Sequence, residues 1–317
     1  MNVDVPNYVH RKNSSCMPNF LIIGAEKSGT TALWHYLNQH PQIYMSPVKE
    51  PQFFAYENQD INFRGPGPLS KSSLPVTQLS QYEALFSNAC NQFKAVGEVS
   101  PSYLYSPLAP ERIKSYIPDV KLIAILRNPV DRAYSRFMHL IRDEREKHTN
   151  FDEALQQEEW RIKNNWWPDF YYKRNGNYHQ QLLRYYDLFD HNQIRVYIYE
   201  EFSADPVSTV QDIYDFLNVD NQFVPNTSLR PNTSGIPKNK LIHKLLRELN
   251  RLRPLIEPIV PETLKQQILS RAQHIRARNL SKPKLSADIR KRLKAFFKSD
   301  ILELSTLIDR NLSVWLE

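Results

Sequence analysis

Cysteine is scarce in this chain of 317 residues, and long apolar runs near its start are absent. Two cysteines, Cys16 and Cys90, are too few for a disulfide framework or a zinc cluster. The apolar run Phe20–Ala25 is far shorter than the roughly 20 residues that a membrane-spanning helix needs, and no continuous apolar segment of a secretory signal precedes it. We therefore predict a protein of the reducing cytoplasm without a membrane span.

The composition is that of a folded protein with an anionic partner. Hydrophobic residues make up 41% of the chain and charged residues 24%, which excludes a largely disordered protein. The net charge is +7, and much of the basic excess lies between Lys238 and Arg292, where the pattern is otherwise helical. Because a solvated basic helix face is the commoner explanation, we predict no nucleic-acid partner and keep a polyanion-binding protein as an alternative.

Strand and helix patterns alternate along the first 220 residues. The predicted strands are Phe20–Gly24, Ala95–Glu98, Val120–Leu126 and Ile194–Tyr199. The predicted helices are Thr30–Asn38, Pro110–Tyr116, Pro129 to about Glu146, Asn177–Phe189 and Pro206–Leu217. This order predicts an α/β fold with a central parallel sheet flanked by helices. We expect one domain over residues 1–317, with a core at about 18–220 and a mainly helical C-terminal region at about 238–317.

The loop after the first strand has the composition of a phosphate-binding site. The chain has only seven glycines, and two of them, Gly24 and Gly29, flank this loop. Backbone N–H groups at a helix N-terminus bind phosphate-like anions, and Lys27 adds a mobile positive charge. Three residues add hydroxyl groups: Ser28, Thr30 and Thr31. The segment therefore predicts a P-loop-like anion site.

This loop differs from the loop of ATP-dependent kinases in two ways. A kinase-type loop reads G-x-x-x-x-G-K followed by Ser or Thr, whereas Lys27 precedes Gly29 by two residues. Arg127 stands at the end of the strand Val120–Leu126, where a metal-holding carboxylate is expected in P-loop enzymes. We therefore predict an anion held by amides and basic groups without a metal, and retain a kinase-like nucleotide-binding enzyme as an alternative.

Arg127 and Ser135 form a second candidate anion site. Arg127 stands at the carboxyl end of a predicted parallel strand, which is where ligands bind in open α/β sheets. Ser135 lies eight residues further on, about two helical turns along the predicted helix. Both side chains are thus expected to face the groove that contains the first loop.

Four motifs follow one another in this part of the chain. They are Gly24-Ala-Glu-Lys-Ser-Gly-Thr-Thr31, Lys49-Glu-Pro-Gln-Phe-Phe54, Gly97-Glu-Val-Ser-Pro-Ser-Tyr103 and Leu126-Arg-Asn-Pro-Val-Asp-Arg-Ala-Tyr-Ser135. In this order they closely resemble the sulfotransferases that use 3′-phosphoadenosine 5′-phosphosulfate (PAPS), in the bacterial branch related to heparan sulfate sulfotransferase domains. The resemblance is dense from Phe20 to about Arg145 and looser from there to Leu217.

The resemblance implies a role for each anion site and for one carboxylate. It assigns the 3′-phosphate of PAPS to Arg127 and Ser135, and the role of catalytic base to Glu50. Lys27 would stabilise the 5′-phosphate of the product PAP as it leaves. The implied contacts of the 5′-phosphosulfate are Lys27, Ser28, Gly29, Thr30 and Thr31.

Alternatives remain open for the base. Glu50 could instead form an ion pair with Lys49, its neighbour. His139 lies four residues beyond Ser135 on the same helix face and could look toward the cofactor, so we include it among the candidate catalytic residues. His179, at the start of a later helix, is a further rival.

The sequence departs from the heparan-type pattern in two places. Val99 stands where those enzymes have a lysine, which makes an extended acidic polysaccharide a less favourable acceptor. A cysteine-bracketed, glycine- and lysine-rich loop near the C-terminus is also missing. By analogy with bacterial members, the comparable segment would contribute three cofactor contacts: Asn232, Ser234 and Lys238.

We therefore predict a PAPS-dependent sulfotransferase with a small-molecule or carbohydrate acceptor. The reaction would move a sulfuryl group in line to a hydroxyl or amine of a carbohydrate, lipid or specialised metabolite. Family motifs describe the donor site, so the acceptor itself and the oligomeric state stay open. Glu98 and Ser100, at the end of the predicted strand Ala95–Glu98 and just after it, are expected to line the acceptor side. Three regions are expected to choose the acceptor: the loops Asn58–Leu74 and Asn164–Gly176, and the helical tail.

Overall fold

A five-stranded parallel sheet forms the centre of the protein. The computed structural model describes residues 16–70, 73–89, 91–228, 235–239, 275, 279–281 and 283–317. The strands are β1 (Phe20–Gly24), β2 (Ile43–Met45), β3 (Ala95–Val99), β4 (Lys121–Leu126) and β5 (Ile194–Ile198). They lie side by side in the order β2-β3-β1-β4-β5.

Both faces of the sheet are buried, and the strand sequences show why. Successive side chains of a strand point to opposite faces, so Leu21 and Ile23 pack into one apolar cluster while Phe20 and Ile22 pack into the other. All four side chains are fully buried. A strand that is buried on both sides is apolar at every position, which is the pattern that predicts β1 and β4.

Helices cover the two faces of this sheet. They are α1 (Thr30–Leu37), α2 (Phe53–Tyr56), α3 (Leu79–Ala84), α4 (Ser102–Tyr105), α5 (Ala109–Tyr116), α6 (Pro129–Arg142), α7 (Phe151–Gln156), α8 (Glu158–Lys163), α9 (Tyr178–Tyr186), α10 (Tyr199–Ala204), α11 (Pro206–Leu217) and α12 (Ala287–Leu307). Of the helices that the structure describes, none is long and apolar enough to cross a membrane.

The predicted α/β architecture is confirmed, and most boundaries agree within one or two residues. Two helices end at least three residues earlier than predicted. Helix α9 ends at Tyr186, not at Phe189, and α6 ends at Arg142, not near Glu146, because Asp143 closes it and Glu144 has a left-handed φ of 58°. A short antiparallel pair, β6 (Ile236–Pro237) with β7 (Leu280–Ser281), joins two segments of the C-terminal part of the chain.

The strand order creates a crevice beside β1. The chain leaves β1 to build β2 and β3 on one side of it, and then crosses to build β4 and β5 on the other side. At such a switch point the connections after neighbouring strands diverge, which opens a groove at the carboxyl ends of the strands. A ligand-binding site is therefore expected in this groove.

Candidate active site

One cavity of about 640 Å³ occupies this groove. The segment that follows each of the five strands contributes to its wall. One residue from each segment, in the order β1 to β5, is Lys27, Glu50, Ser102, Arg127 and Tyr199. The sheet therefore brings together residues that lie far apart in the sequence.

The loop after β1 is shaped to hold an anion. Gly29 has a φ of 90°, and a Cβ at this position would lie 3.0 Å from the Phe202 ring, so only glycine fits without strain. In the described part of the chain no side chain caps the first turn of α1, which leaves its N–H groups to a ligand. The Ser28 hydroxyl is buried and has no hydrogen-bond partner among the described residues. A bound phosphate or sulfate would satisfy these donors.

Arg127 lies against this loop. Its Nη1 donates to the backbone oxygen of Lys27 at 3.2 Å, and its guanidinium lies 4.8 Å from the centre of the Tyr199 ring. Ser135 is buried on α6 and lines the same cavity. Both side chains thus line the cavity that contains the first loop, while their role in binding a phosphate stays a prediction.

Two buried arginines of α6 anchor the first loop through Glu26. Arg132 is fully buried, and its Nη1 donates to Glu26 Oε1 at 2.7 Å. Arg136 Nε lies 3.4 Å from Glu26 Oε2. A buried carboxylate and guanidinium compensate each other's lost hydration when they are paired. The pairing therefore ties the loop to α6.

Lys27, His139 and Asp143 form a line of polar contacts along one wall of the cavity. Lys27 Nζ lies 2.9 Å from His139 Nδ1, and His139 Nε2 lies 3.0 Å from Asp143 Oδ2. The other carboxylate oxygen of Asp143 accepts from Arg142 Nε at 2.9 Å. His139 thus lies beside the loop lysine, so its ring contacts the candidate site from the helix side.

Burial sets the protonation of these groups. Burial, with the nearby charges of Arg136 and Arg142, lowers the pKa of Lys27 to about 7. Burial and the Lys27 charge lower the pKa of His139 to about 3, so its ring is neutral at physiological pH. Burial opposes ionisation of Asp143, but the hydrogen bond from His139 and the Arg142 charge outweigh it and lower its pKa.

Glu50 lines the cavity and is also paired with Lys49. The Lys49 ammonium contacts Glu50 Oε1, so the expected alternative of an ion pair is present. The Glu50 side chain nevertheless keeps 40% of its surface exposed and borders the cavity. Burial of the carboxyl raises its pKa, but Lys49 and the charges of Arg136 and Lys27 outweigh this and lower it. The carboxylate is therefore ionised at neutral pH.

Glu98 and Ser100, expected on the acceptor side, do not line this cavity: both are fully buried behind it. Glu98 accepts hydrogen bonds from Tyr103 at 2.5 Å and from Ser100 at 2.8 Å. Ser100 Oγ accepts in turn from the backbone N–H of Gln52 at 2.9 Å. Gln52 and Glu50 both have left-handed backbone angles. The buried carboxyl thus supports the loop that presents Glu50.

Glu98 should make stability depend on pH. Its burial raises its pKa from 4.5 to about 7. Between these values the folded protein keeps a proton that the unfolded chain releases, so the free energy of unfolding should fall as pH rises, by on the order of 3 kcal/mol. Glu98→Gln does not titrate there and should remove this part of the slope. Denaturant titrations from pH 4.5 to 7.5, with the exposed Glu159→Gln as control, test it; identical slopes for Glu98→Gln and wild type would contradict it.

One end of the cavity combines aromatic side chains with paired charges. Arg136 and Arg145 both form ion pairs with Asp169. Trp167 lies half-buried in the wall beside them, and Tyr56 and Tyr105 complete this end. Neighbouring aromatic residues are packed elsewhere: Trp166 contacts Trp160 and Phe170. Trp167 therefore lines the cavity, while Trp160, Trp166 and Phe170 pack against one another.

The other predicted residues lie elsewhere. His179 contacts Glu303 of α12 at 2.9 Å and does not line the cavity. Lys238 is exposed and its backbone N–H donates to the Asn279 oxygen at 2.7 Å, away from the cavity wall. Asn232 and Ser234 lie outside the described residues, so their proposed contacts stay predictions.

Sequence reasoning missed several residues that line the cavity, four of which lie beside the loop after β1. Arg136 and Asp143 border the cavity from α6 and its C-cap, and their spacing from His139 would have signalled them, because residues three and four apart share a helix face. The other two, Tyr199 and Phe202, follow β5. No local pattern marks these two, because only the pairing of β5 with β4 brings them to the loop.

Comparisons with known proteins agree on one family. The model of the sulfotransferase family matches residues 18–223. The structure resembles a sulfotransferase from Alicyclobacillus acidocaldarius with a TM-score of 0.73 and 35% sequence identity, covering 95% of this chain and all of that one.

Two curated relatives are larger proteins. The membrane-associated sulfotransferase kil1 of Dictyostelium discoideum is 26% identical over 64% of this chain and 56% of its own length. The human bifunctional heparan sulfate N-deacetylase/N-sulfotransferase 3 is 36% identical over 40% of this chain and 14% of its own. The chain therefore spans about half of the first relative and a small part of the second.

Proposed function

Because the chain belongs to the sulfotransferase family, we propose that it transfers a sulfuryl group from PAPS to a hydroxyl or amine of a carbohydrate, lipid or specialised metabolite. The observation that carries this proposal is the cavity that contains both the Lys27 loop and the Arg127–Ser135 pair. PAPS has anionic groups at its 3′ and 5′ ends, so two separated basic sites match its charges. The family match favours this function over the kinase-like and polyanion-binding alternatives.

The two ends of the donor would be held by different elements. Arg127 and Ser135 would hold the 3′-phosphate, with Arg127 supported by its contacts to the loop and to Tyr199. The unpartnered Ser28 hydroxyl and the uncapped first turn of α1 support binding of the phosphosulfate at the loop. The residues proposed for that end are Lys27, Ser28, Gly29, Thr30 and Thr31.

Two side chains would contribute to the chemistry. PAPS supplies an electrophilic sulfuryl group with PAP as the leaving group. The Lys27 amine donates hydrogen bonds and, when protonated, stabilises negative charge on the departing phosphate. Glu50 is ionised and borders the cavity, so its carboxylate is available to accept the acceptor's proton. The sequence pattern supports no metal in this role, and this stays a prediction.

The acceptor would bind at the aromatic end of the cavity. Tyr56, Tyr105 and Trp167 offer flat apolar surface there, which suits a sugar ring or an apolar small molecule. Arg136 and Arg145 are paired with Asp169, so this wall offers less uncompensated positive charge than an acidic polysaccharide would use. We propose a small-molecule or carbohydrate acceptor and, from the two cysteines of the chain, a cytoplasmic location.

Calorimetric titration of PAP into the purified protein tests the donor site. We expect a dissociation constant in the micromolar range or below, with ATP and Mg²⁺ binding much more weakly. A folded sample that does not bind PAP would overturn the proposal, and tighter binding of ATP with Mg²⁺ would favour the kinase-like alternative. Binding of PAP justifies a screen of phenols, sugars and long-chain alcohols and amines with labelled PAPS.

Arg127→Met should weaken PAP binding roughly 10- to 100-fold, because it removes charge-assisted hydrogen bonds to a phosphate. Arg195→Met removes the same charge from an exposed position on β5 that does not line the cavity. This control should bind PAP like the wild type. Equal affinities of the two variants for PAP would show that Arg127 does not contribute to the donor site.

A further inference from the structure

We propose that Asp143 is a positioning residue, which orients the ring of His139 so that His139 holds the amine of Lys27 in place. The inference rests on the proposed function, because it concerns the lysine that would stabilise the leaving phosphate. Its basis is the line of contacts from Asp143 Oδ2 to His139 Nε2 at 3.0 Å and from His139 Nδ1 to Lys27 Nζ at 2.9 Å.

Hydrogen-bonding capacity sets the direction of each contact. An ionised carboxylate only accepts hydrogen bonds, so His139 Nε2 must carry the proton that points at Asp143. In a neutral imidazole the second nitrogen is then an acceptor. His139 Nδ1 therefore presents a lone pair to Lys27, whose amine donates. With both ring nitrogens engaged in this way, His139 has no free lone pair for the proton of an acceptor.

Lys27 needs such a partner because nothing else in the described structure fixes its amine. Its side chain has four rotatable bonds and three donor hydrogens when protonated, and His139 is the hydrogen-bond partner of its Nζ among the described residues. The neighbouring charges do not replace that contact: Arg136 and Arg142 repel the ammonium, and Glu26 is paired with Arg132 and Arg136. Orientation of the lysine thus depends on the histidine.

The neutrality of His139 is part of the arrangement. A protonated ring would point an N–H at the Lys27 amine and would lose the acceptor that holds it. Burial and the Lys27 charge lower the pKa of His139, which keeps the ring neutral. Asp143 contributes by fixing which nitrogen carries the single proton, and Arg142 holds the other oxygen of that carboxylate.

Nitrogen-15 NMR of the histidine side chains tests this arrangement without an acceptor. In the wild type, the His139 ring should be a neutral imidazole with its proton on Nε2 from pH 5.5 to 8, assigned by the loss of its signals in His139→Gln. In Asp143→Ala, the Nε2–H form should lose its dominance over the Nδ1–H form. A wild-type ring with its proton on Nδ1, or protonated on both nitrogens, would overturn the proposal.

Kinetics test the consequence for the reaction. Asp143→Ala should lower kcat roughly 10- to 100-fold with a smaller change in KM for PAPS, because a displaced catalytic group costs rate more than binding. Asp187→Ala is the matched control: it removes a carboxylate from the C-cap of α9, an exposed position that does not line the cavity, so kcat should stay close to the wild-type value. Equal losses in both variants would show that the effect does not come from the contact of Asp143 with His139.

The outcomes separate this inference from the proposed function. If the wild-type protein fails to bind PAP, the proposed function fails, and the NMR experiment still tests how Asp143 orients His139. If PAP binds and PAPS turns over while Asp143→Ala retains full kcat, the positioning role is wrong and the proposed function stands. Asp143→Glu, which restores a carboxylate, should recover part of the lost rate.

Discussion

Replacing Glu50 by Gln should lower kcat roughly 10²- to 10⁴-fold, which is the contribution expected of a general base, while the affinity for PAP stays nearly unchanged. The amide has the size of the carboxyl but cannot accept a proton, and the proposed PAP contacts lie on the loop after β1, directly after β4 and on α6. Turnover of labelled PAPS with an acceptor from the screen, together with PAP calorimetry on the same sample, measures both quantities. Full activity of Glu50→Gln would exclude it as the base.

The variant Lys49→Met tests whether Glu50 acts as the base or matters only as the partner of Lys49 in an ion pair. If Glu50 matters only through its contact with Lys49, then removing either partner should be equally damaging. If Glu50 is the base, Lys49→Met should retain measurable turnover. Because Lys49 lowers the pKa of Glu50, its removal should raise that pKa and move the acid limb of the kcat/KM profile to higher pH.

Replacing Lys27 by Met should lower kcat roughly 10²- to 10³-fold, a typical loss when one group that stabilises transition-state charge is removed. Met has a similar length and fills the buried space without a charge or a donor. The loss should appear in kcat more than in PAP affinity, because the demand for positive charge is greatest as the phosphate leaves. Lys163→Met, at an exposed position of α8, is the matched control; a similar loss in both would contradict the role.

The same lysine should also couple PAP binding to proton uptake. Its pKa of about 7 in the free protein means that it is partly neutral just above that pH. An anion bound beside it favours the charged form and raises this pKa, so binding between about pH 7 and 9 should take up a fraction of a proton, and affinity should fall as pH rises. Calorimetry in buffers of different ionisation enthalpy measures the uptake. Uptake that persists in Lys27→Met would come from another group.

Local patterns were sufficient to predict the elements that carry the proposed donor contacts. The apolar run of β1, the glycine after it and the start of α1 are all visible over a dozen residues, and β4 with the helix after it is equally clear. Strand β2 was missed because three residues, Ile43–Met45, are too few for a periodic signal. This strand nevertheless leads to the segment that contains Glu50.

The partners of buried charges were harder to predict. The sequence indicates that Lys27 belongs to an anion site and that His139 shares a helix face with Ser135, but it does not indicate that the two side chains meet. That contact joins residues 112 positions apart and depends on the loop conformation, in which Lys27 itself has a left-handed φ of 65°. Glu98 shows the opposite error: its place at the end of a predicted strand, within the motif Gly97–Tyr103, suggested the acceptor side of the site, whereas its contacts with Tyr82 and Tyr103 bury it.

The helix α6 has a consequence for how this protein can vary. One continuous helix carries Arg132, Ser135, Arg136 and His139, and Asp143 ends it. The number of residues between these side chains therefore fixes their relative positions. Inserting or deleting a single residue between Arg132 and Asp143 would rotate everything beyond it by about 100° and shift it by about 1.5 Å. Length variation among related chains should therefore avoid this span and accumulate in loops such as 58–74, where a change in sequence would alter the proposed acceptor end without disturbing the proposed donor contacts.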